Sequence, residues 1–203
     1  MIRGIRRLLR GNYDAVDYWN DRSDPNNPCG RDPARVAFDT TYISEGVQDS
    51  DPILELGPGV GRTFGAYSSG QRVTTVDVSR RYSQELRDVA SSLGIRLHQV
   101  YLDREHDEFP FEDREFPVGV ASQVLLHVSP DVVEHTIGEL MRVCNKVVVI
   151  TRYRHGGQTR TKTSHVFNHD YFKLCTDAGG VMNRVLKKEG RIYFDLEKRE
   201  GLL

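Results

Sequence analysis

Short apolar runs alternate with amphipathic segments through most of this chain, beginning at residue 52. Five of the runs are rich in β-branched or aliphatic residues and are bounded by turn-forming or acidic residues. They span residues 52–57, 71–77, 95–102, 117–123 and 146–151. Because strands of a buried parallel sheet have this pattern, the runs predict successive βαβ units with right-handed crossovers.

Helix signals fill the intervals between the predicted strands. Helices are predicted from the glycine-rich segment to about residue 69, from Ser79 to about residue 93, from Pro130 to about residue 143, and from Asn168 or Asp170 to Gly179. Near the C-terminus, residues 181–188 and 191–198 predict a β-hairpin. We therefore expect an α/β fold, Rossmann-like and doubly wound, with a mostly parallel seven-stranded sheet and a C-terminal antiparallel hairpin strand.

The N-terminal part lacks these apolar runs. We expect residues 1–45 to form a helical lid segment and residues 46–203 to form the core that binds the ligand, within one domain overall. Residues 1–10 combine one apolar face with several arginines, which suits a packing helix or a weak contact with an anionic membrane surface. Residues 21–33 are predicted to form a loop, and residues 34–42 a second short helix.

Composition narrows the functional classes. The 203 residues carry a formal net charge of -1, which argues against a protein covered in positive charge for binding nucleic acid. No apolar run approaches the length that spans a bilayer, and the N-terminus lacks the apolar core of a signal peptide. We therefore expect a cytoplasmic protein; the sequence does not indicate its oligomeric state.

Metal and redox chemistry are not expected. Cys29, Cys144 and Cys175 form no CxxC pair, so neither a zinc site nor a redox dithiol is indicated, and Cys144 is expected in the core. Residues 103–115 are acidic, but their spacing does not converge on one point as metal ligands do. We expect this segment to be a charged loop.

A glycine-rich turn carries the strongest chemical signal. Gly57 ends the first predicted strand, and Gly59 and Gly61 follow at alternate positions, where bare backbone can approach a ligand closely. Asp77 ends the second strand, where its carboxylate can accept hydrogen bonds from a ribose diol. The GxGxG spacing differs from the GxGxxG of dinucleotide sites. Glu55 would repel a pyrophosphate but suits an ammonium group, so a nicotinamide-dependent reductase is the last of our hypotheses.

Five ordered segments resemble the successive motifs of class I S-adenosylmethionine-dependent methyltransferases. They read ILELGPGVGR, TTVDVS, VYLDREHDEFPF, VASQVLLHV and KVVVIT, and together they cover about residues 50–151. One departure is the start of the fourth strand, where the family usually has Phe-Asp and this chain has Phe116-Pro117. The resemblance implies the fold expected above and S-adenosylmethionine as the cofactor.

The resemblance also implies which residues contact that cofactor. Those expected around its methionine and ribose parts are Glu55, Gly57, Gly59, Gly61 and Asp77, with Glu55 supporting the amino group and Asp77 holding the ribose hydroxyls. Those expected around the adenine are Val78, Leu102 and Asp103. Ser122 and Gln123 are expected beside the methionine and the transferred methyl. Residues 13–22 are expected to fold over the cofactor as a lid, with Tyr18 and Trp19 as covering residues.

Methyl transfer from a sulfonium needs positioning, exclusion of water and, for some acceptors, removal of a proton. His127, His165 and His169 are the candidate catalytic residues, with His155 as a further candidate base; structural roles for them remain open. Residues 151–165 contain Arg152, Arg154, Arg160 and Lys162 without any acid. They suit an anionic acceptor, although a solvated loop would look the same.

The leading hypothesis is thus a methyltransferase acting on a small, anionic acceptor, for example by O-methylation of a sugar or a related metabolite. An RNA methyltransferase is an alternative, disfavoured by the neutral charge and by the absence of a motif for a flipped base. A non-catalytic module that binds S-adenosylmethionine is another, because a glycine loop predicts binding and not turnover. No nucleic-acid partner is expected.

Overall fold

The computed structural model describes residues 13–21, 32–153 and 165–199. The helices are α1 (Ala15–Asp21), α2 (Pro33–Val47), α3 (Ser83–Ser92), α4 (Val133–Val143) and α5 (Tyr171–Asp177). The strands are β1 (Ile53–Leu56), β2 (Arg72–Asp77), β3 (Arg96–Tyr101), β4 (Phe116–Ser122), β5 (Cys144–Arg152), β6 (Gly180–Lys188) and β7 (Arg191–Lys198). Two short 3₁₀ turns span Phe64–Ala66 and Leu125–His127.

The seven strands form one sheet in the order β3-β2-β1-β4-β5-β7-β6. Strands β1 to β5 pair in parallel, whereas β7 is antiparallel to β5 and to β6. The predicted fold class, including the closing hairpin, is therefore confirmed. From β1 the chain adds β2 and β3 on one side of the sheet and then returns to add β4 on the other side of β1. The carboxyl end of β1 is therefore the switch point at which open α/β sheets bind ligands.

The core lies on both faces of the sheet. All four residues of β1 are buried, and consecutive residues of the central strands point to opposite faces, as the period of a strand requires. Leu54, Val147 and Val149 join one apolar cluster, which α4 and α5 cover. Ile53 and Val148 join the other, which α2 and α3 cover. This double burial explains why the strands appear in the sequence as nearly continuous apolar runs.

Helix α2 is longer than the segment 34–42 predicted for it. Asp32 caps its N-terminus by accepting hydrogen bonds from the Ala34 and Arg35 amides. The helix continues to Val47 because Ile43 and Val47, one turn apart, are buried against the sheet. The predicted boundary between residues 45 and 46 therefore falls inside this helix.

Three other predicted helices are too long. The segment after the glycine turn forms only the 3₁₀ turn Phe64–Ala66, because Ser68, Ser69 and Gly70 favour a turn. Helix α3 begins four residues after Ser79, whose hydroxyl binds the Trp19 carbonyl oxygen and does not cap a helix. Helix α4 begins three residues after Pro130.

The expectations about cysteines, metal ligands and membrane spans can be compared with the described residues. Within them, Cys144 and Cys175 are buried free thiols, while Cys29 lies outside the described residues. Cys144 begins β5 at the end of α4. Across residues 13–21, 32–153 and 165–199, no group of three metal-binding side chains is present. None of the described helices is long and apolar enough to cross a membrane.

Candidate functional site

The glycine turn and the end of β2 form one hydrogen-bonded unit. Gly57 donates its amide to the Val76 carbonyl oxygen at 2.8 Å. The Asp77 carboxylate accepts a hydrogen bond from the Ser79 amide at 2.9 Å and further bonds from the Val78 and Gly59 amides. Burial raises the pKa of Asp77 to about 6, although these amide donors oppose the rise. At neutral pH the ionised carboxylate can therefore accept hydrogen bonds from a ligand's hydroxyl groups.

The glycines in this turn have two different surroundings. Gly57, Gly59 and Gly61 all have positive φ angles, which a β-carbon disfavours. A β-carbon on Gly57 would lie 2.4 Å from Val124 Cγ2, so the turn packs tightly against the segment after β4. A β-carbon on Gly59 would meet no described atom within 4 Å. The outer side of Gly59 therefore faces open space, where a ligand can contact bare backbone.

Glu55 lies beneath the turn. Its side chain is 1% exposed, and its two carboxylate oxygens accept hydrogen bonds from Thr63 Oγ1 at 3.1 Å and Tyr67 Oη at 2.5 Å. Burial raises the pKa of Glu55 to about 7, against the opposing effects of both hydroxyls and of Arg62. The structure thus places this carboxylate where it braces the 3₁₀ turn, and the predicted support of a ligand's amino group stays a prediction.

The burial of Glu55 predicts a specific pH dependence of stability. Its pKa is raised above the ordinary value of 4.5 in the folded chain, so the folded state binds the proton more tightly. The free energy of unfolding should then fall as pH rises from about 4.5 to about 7. Glu55→Gln removes this titration, so its stability relative to the wild type should improve by about 3 kcal/mol across that interval.

Urea denaturation at a series of pH values measures this difference. Glu85→Gln, an exposed position on α3, is the matched control and should follow the wild-type profile. Parallel stability profiles for Glu55→Gln and the wild type would contradict the buried, titrating carboxylate.

The predicted adenine contacts lie at the adjoining ends of β2 and β3. Val78 is half-buried, and its carbonyl oxygen accepts a hydrogen bond from Asn20 Nδ2 at 3.4 Å. Leu102 is buried and donates its amide to the Asp77 carbonyl oxygen at 2.9 Å. Asp103 is exposed. The chain thus brings Val78 and Leu102 together beside Asp77, with Asp103 at the outer rim.

The end of β4 carries the other two predicted contacts. Ser122 Oγ accepts a hydrogen bond from Arg62 Nη2 at 3.3 Å. Gln123 has a φ of 57° and donates its amide to the Ile150 carbonyl oxygen, so the chain turns sharply off the strand here. Its Nε2 atom is buried and has no hydrogen-bond partner among the described residues. A buried amide without a partner costs free energy, which a ligand acceptor would recover.

Helix α1 crosses from the end of β2 to the end of β4. At one end, the Trp19 carbonyl oxygen accepts a hydrogen bond from Ser79 Oγ at 3.1 Å, and Asn20 Oδ1 accepts one from the Arg80 amide at 3.0 Å. At the other end, Tyr13 Oη donates to the His127 carbonyl oxygen at 3.0 Å. The helix therefore lies over the ends of β2 and β4, and its predicted role as a lid stays a prediction.

The three candidate histidines separate into a pair and a single residue. His127 and His165 stack with ring centroids 5.5 Å apart, and His127 Nδ1 contacts the His165 carbonyl oxygen at 2.8 Å. Tyr18 stacks on His165 and contacts its Nδ1 through the hydroxyl at 2.8 Å. Trp19 meets His127 edge to face at 4.9 Å. The pair thus packs against Tyr18 and Trp19 of α1.

His169 is placed differently. Its Nε2 lies 3.0 Å from the Val128 carbonyl oxygen, and burial lowers its pKa, so it stays neutral at pH 7. In this position it braces the segment after β4. Of the basic loop, Arg152 and His165 are described, whereas Arg154, His155, Arg160 and Lys162 lie outside the described residues, as do residues 1–12.

The sequence did not indicate one charged cluster, which lies in the interior of the protein. Asp39, on α2, is fully buried and lies at the centre of the cluster. It accepts hydrogen bonds from Arg191 Nη1 at 2.5 Å and Tyr193 Oη at 3.0 Å, and it pairs with Arg62 Nη1 at 3.6 Å. Arg62 directly follows the third glycine, which is the only signal that could have drawn attention to it.

Comparisons of the sequence with known proteins find similarity to methyltransferases. Residues 53–146 match the model of a methyltransferase domain family. A phosphatidylethanolamine N-methyltransferase from Cereibacter sphaeroides is 29% identical over 104 residues, and the match covers 50% of each chain. The chain therefore spans about half the length of this curated relative.

Solved structures share the fold at low sequence identity. A Burkholderia thailandensis 1,6-didemethyltoxoflavin-N1-methyltransferase, with 1,6-didemethyltoxoflavin and S-adenosylhomocysteine bound, is 15% identical, with a TM-score of 0.69 and coverage of 98% of this chain and 89% of that one. A magnesium protoporphyrin IX methyltransferase from Synechocystis PCC 6803 with bound S-adenosylmethionine is also 15% identical, with a TM-score of 0.62 and coverage of 97% and 91%. The [4+2]-cyclase SpnF is 18% identical, with a TM-score of 0.71 and coverage of 85% and 84%.

Proposed function

We propose that this chain, which belongs to the class I S-adenosylmethionine-dependent methyltransferases, transfers a methyl group to a small-molecule acceptor that carries an anionic group. The observation that carries the proposal is the unit formed by the glycine turn and Asp77. Bare backbone at Gly59 faces open space, and the carboxylate that binds the Gly59 amide lies at the neighbouring strand end. A dinucleotide site would share this arrangement, but its turn has the spacing GxGxxG, whereas Gly57, Gly59 and Gly61 follow GxGxG, which favours an adenosyl amino acid.

The residues at the strand ends fit such a cofactor. Asp77 would hold the ribose hydroxyls, and Val78, Leu102 and Asp103 would surround the adenine. The methionine part would then extend over the glycine turn towards Ser122 and Gln123, where the buried Gln123 Nε2 needs an acceptor. When bound, S-adenosylmethionine supplies an electrophilic methyl group on a good leaving group.

The chain's own contribution is to position the acceptor and exclude water. Helix α1 would close over the site, with Tyr18 and Trp19 covering the cofactor. The contact of His127 Nδ1 with the His165 carbonyl oxygen orients the His127 ring beside Trp19. His127 would thereby hold the acceptor or take its proton, and His165 would orient Tyr18. His169, which braces the segment after β4, is the weakest of the three catalytic candidates.

The anionic character of the acceptor rests on the sequence of residues 151–165, where Arg152, Arg154, Arg160 and Lys162 occur without an acid. Guanidinium groups bind phosphate and carboxylate through paired hydrogen bonds. An acidic sugar or a related metabolite, methylated on oxygen, fits this loop. The fold alone does not decide the acceptor, because one fold supports many reactions.

An amine acceptor is a second candidate. The curated relative is named for phosphatidylethanolamine, whose headgroup carries an amine beside a phosphate. Glu105, near the lid, has its pKa raised to about 7 by burial and by the charge of Asp14. When ionised, the Glu105 carboxylate would attract a cationic group, while the basic loop would hold the phosphate. RNA methylation and cofactor binding without turnover remain alternatives.

A transfer assay separates these candidates. Purified protein is incubated with methyl-labelled S-adenosylmethionine and a panel of sugar acids, sugar phosphates, ethanolamine phosphates and unmodified RNA. Label should appear in a small molecule that carries an acidic group. Label found only in RNA would favour the RNA enzyme, and binding of the cofactor without transfer to any acceptor would favour the non-catalytic module.

Asp77 gives a direct test of cofactor recognition. Asp77→Ala should weaken binding of S-adenosylhomocysteine by about 1–3 kcal/mol, since charge-assisted hydrogen bonds are lost. Isothermal titration calorimetry measures the change. Asp88→Ala, which removes an exposed carboxylate of α3 bound to Gln84, is the control and should retain wild-type affinity. Unchanged affinity in Asp77→Ala would refute the role assigned to this carboxylate.

A further inference from the structure

Arg62 connects the buried cluster around Asp39 with the candidate cofactor site. Its Nη1 pairs with Asp39 at 3.6 Å, and its Nη2 donates to Ser122 Oγ at 3.3 Å. Only 18% of its side chain is exposed. The residue therefore holds a positive charge at the point where the glycine turn meets the end of β4.

The sheet order decides which part of an adenosyl amino acid would reach this point. Strand β1 lies between β2 and β4, and the glycine turn leaves its carboxyl end. If Asp77 on β2 holds the ribose, the rest of the molecule must cross the end of β1 to the other side. Its amino-acid end then lies above β4, beside Ser122 and Arg62.

We propose that the Arg62 guanidinium binds the α-carboxylate of the cofactor's methionine part. This inference rests on the proposed function. The carboxylate is the one anionic group of S-adenosylmethionine, which also carries a sulfonium and an ammonium. A guanidinium presents a planar fork of N–H donors that matches a carboxylate.

The cluster around Asp39 explains how this cation is held in place. Arg191 and Tyr193, both on β7, make the two shorter contacts with the Asp39 carboxylate, so Asp39 is anchored independently of Arg62. The longer pairing with Arg62 orients the guanidinium towards the end of β4. Arg62 also lowers the pKa of Glu55, so its charge acts on the underside of the turn as well.

The competing interpretation is that Arg62 only balances the charge of Asp39. Two ligands that differ by a single group distinguish the interpretations. S-adenosylhomocysteine carries the carboxylate, whereas 5′-deoxy-5′-(3-aminopropylthio)adenosine lacks it and keeps the adenosine, sulfur and amine. Both are titrated by calorimetry into the wild type, Arg62→Gln and the exposed control Arg72→Gln, and thermal unfolding of each protein checks that it is folded.

The wild type should bind S-adenosylhomocysteine at least about tenfold more tightly than the decarboxylated ligand. Arg62→Gln should lose about 10- to 100-fold in affinity for S-adenosylhomocysteine and less than about threefold for the decarboxylated ligand, while Arg72→Gln should match the wild type. Arg62→Lys, which keeps the charge without the fork, should be intermediate. It serves as the test variant if Arg62→Gln does not fold.

Three results would overturn the inference. Equal losses for both ligands would mean that Arg62 acts through the shape of the turn, and unchanged affinity for both would mean that it only balances Asp39. Equal affinities of the wild type for the two ligands would also exclude a carboxylate contact. Failure of the wild type to bind S-adenosylhomocysteine at all would overturn the proposed function together with this inference, which distinguishes the two failures.

Discussion

Gly57→Ala is expected to destabilise the folded chain by about 3 kcal/mol, because the substitution adds a close contact to an unfavourable backbone angle. The new β-carbon would lie 2.4 Å from Val124 Cγ2 and 2.9 Å from Val124 Cβ. The φ of 59° adds strain of about 1 kcal/mol for any residue with a side chain. Urea denaturation measures the loss.

Gly59→Ala is the matched control, because its φ of 57° is nearly the same and its new β-carbon would meet no described atom within 4 Å. We expect a loss of stability of only about 1 kcal/mol. The added methyl would occupy the space proposed for the cofactor, so binding of S-adenosylhomocysteine should fall at least tenfold. Equal stabilities for the two variants would contradict the packing of Gly57 against Val124.

Asp39→Asn should destabilise the fold by about 3–5 kcal/mol, the usual cost of removing one partner from a buried charge cluster. The Asp39 side chain is fully buried, and Arg191 and Arg62 both pair with it. Asparagine keeps the size of the side chain but leaves both guanidinium groups without their counter-charge. Because Asp39 connects α2 with β7, the loss should appear in the global unfolding transition measured by urea denaturation.

Glu45→Gln is the control for this variant. Glu45 also lies on α2 and pairs with Arg184 at 3.1 Å, but its side chain is 62% exposed. Exposed ion pairs contribute little to folding stability, so we expect the free energy of unfolding to change by no more than about 0.5 kcal/mol. A small effect of Asp39→Asn, similar to that of Glu45→Gln, would show that the buried cluster does not hold these elements together.

The sheet could be predicted from the sequence because its strands are buried on both faces, which leaves short apolar runs such as residues 146–151 between polar segments. Helix starts were harder to predict. Ser79 and Pro130 are typical helix-start residues, yet the helices begin at Ser83 and Val133, after further residues of loop. Local signals mark the end of a strand better than the first helical turn.

The site was predictable only in part, for a similar reason. The glycines and Asp77 form a local motif, so their spacing alone indicates their proximity. Asp39, Arg62 and Arg191 come from three distant segments, and only the order of the strands brings them together. The stacking of Tyr18 on His165, 147 positions apart, likewise depends on how α1 crosses the site.

The central claim is that the glycine turn and Asp77 bind an adenosyl amino acid. Isothermal titration calorimetry of the wild-type chain with S-adenosylhomocysteine, and separately with NAD, tests it most directly. We predict saturable binding of one S-adenosylhomocysteine per chain and no binding of NAD. The absence of any heat with S-adenosylhomocysteine at millimolar concentration, or tighter binding of NAD, would contradict the account.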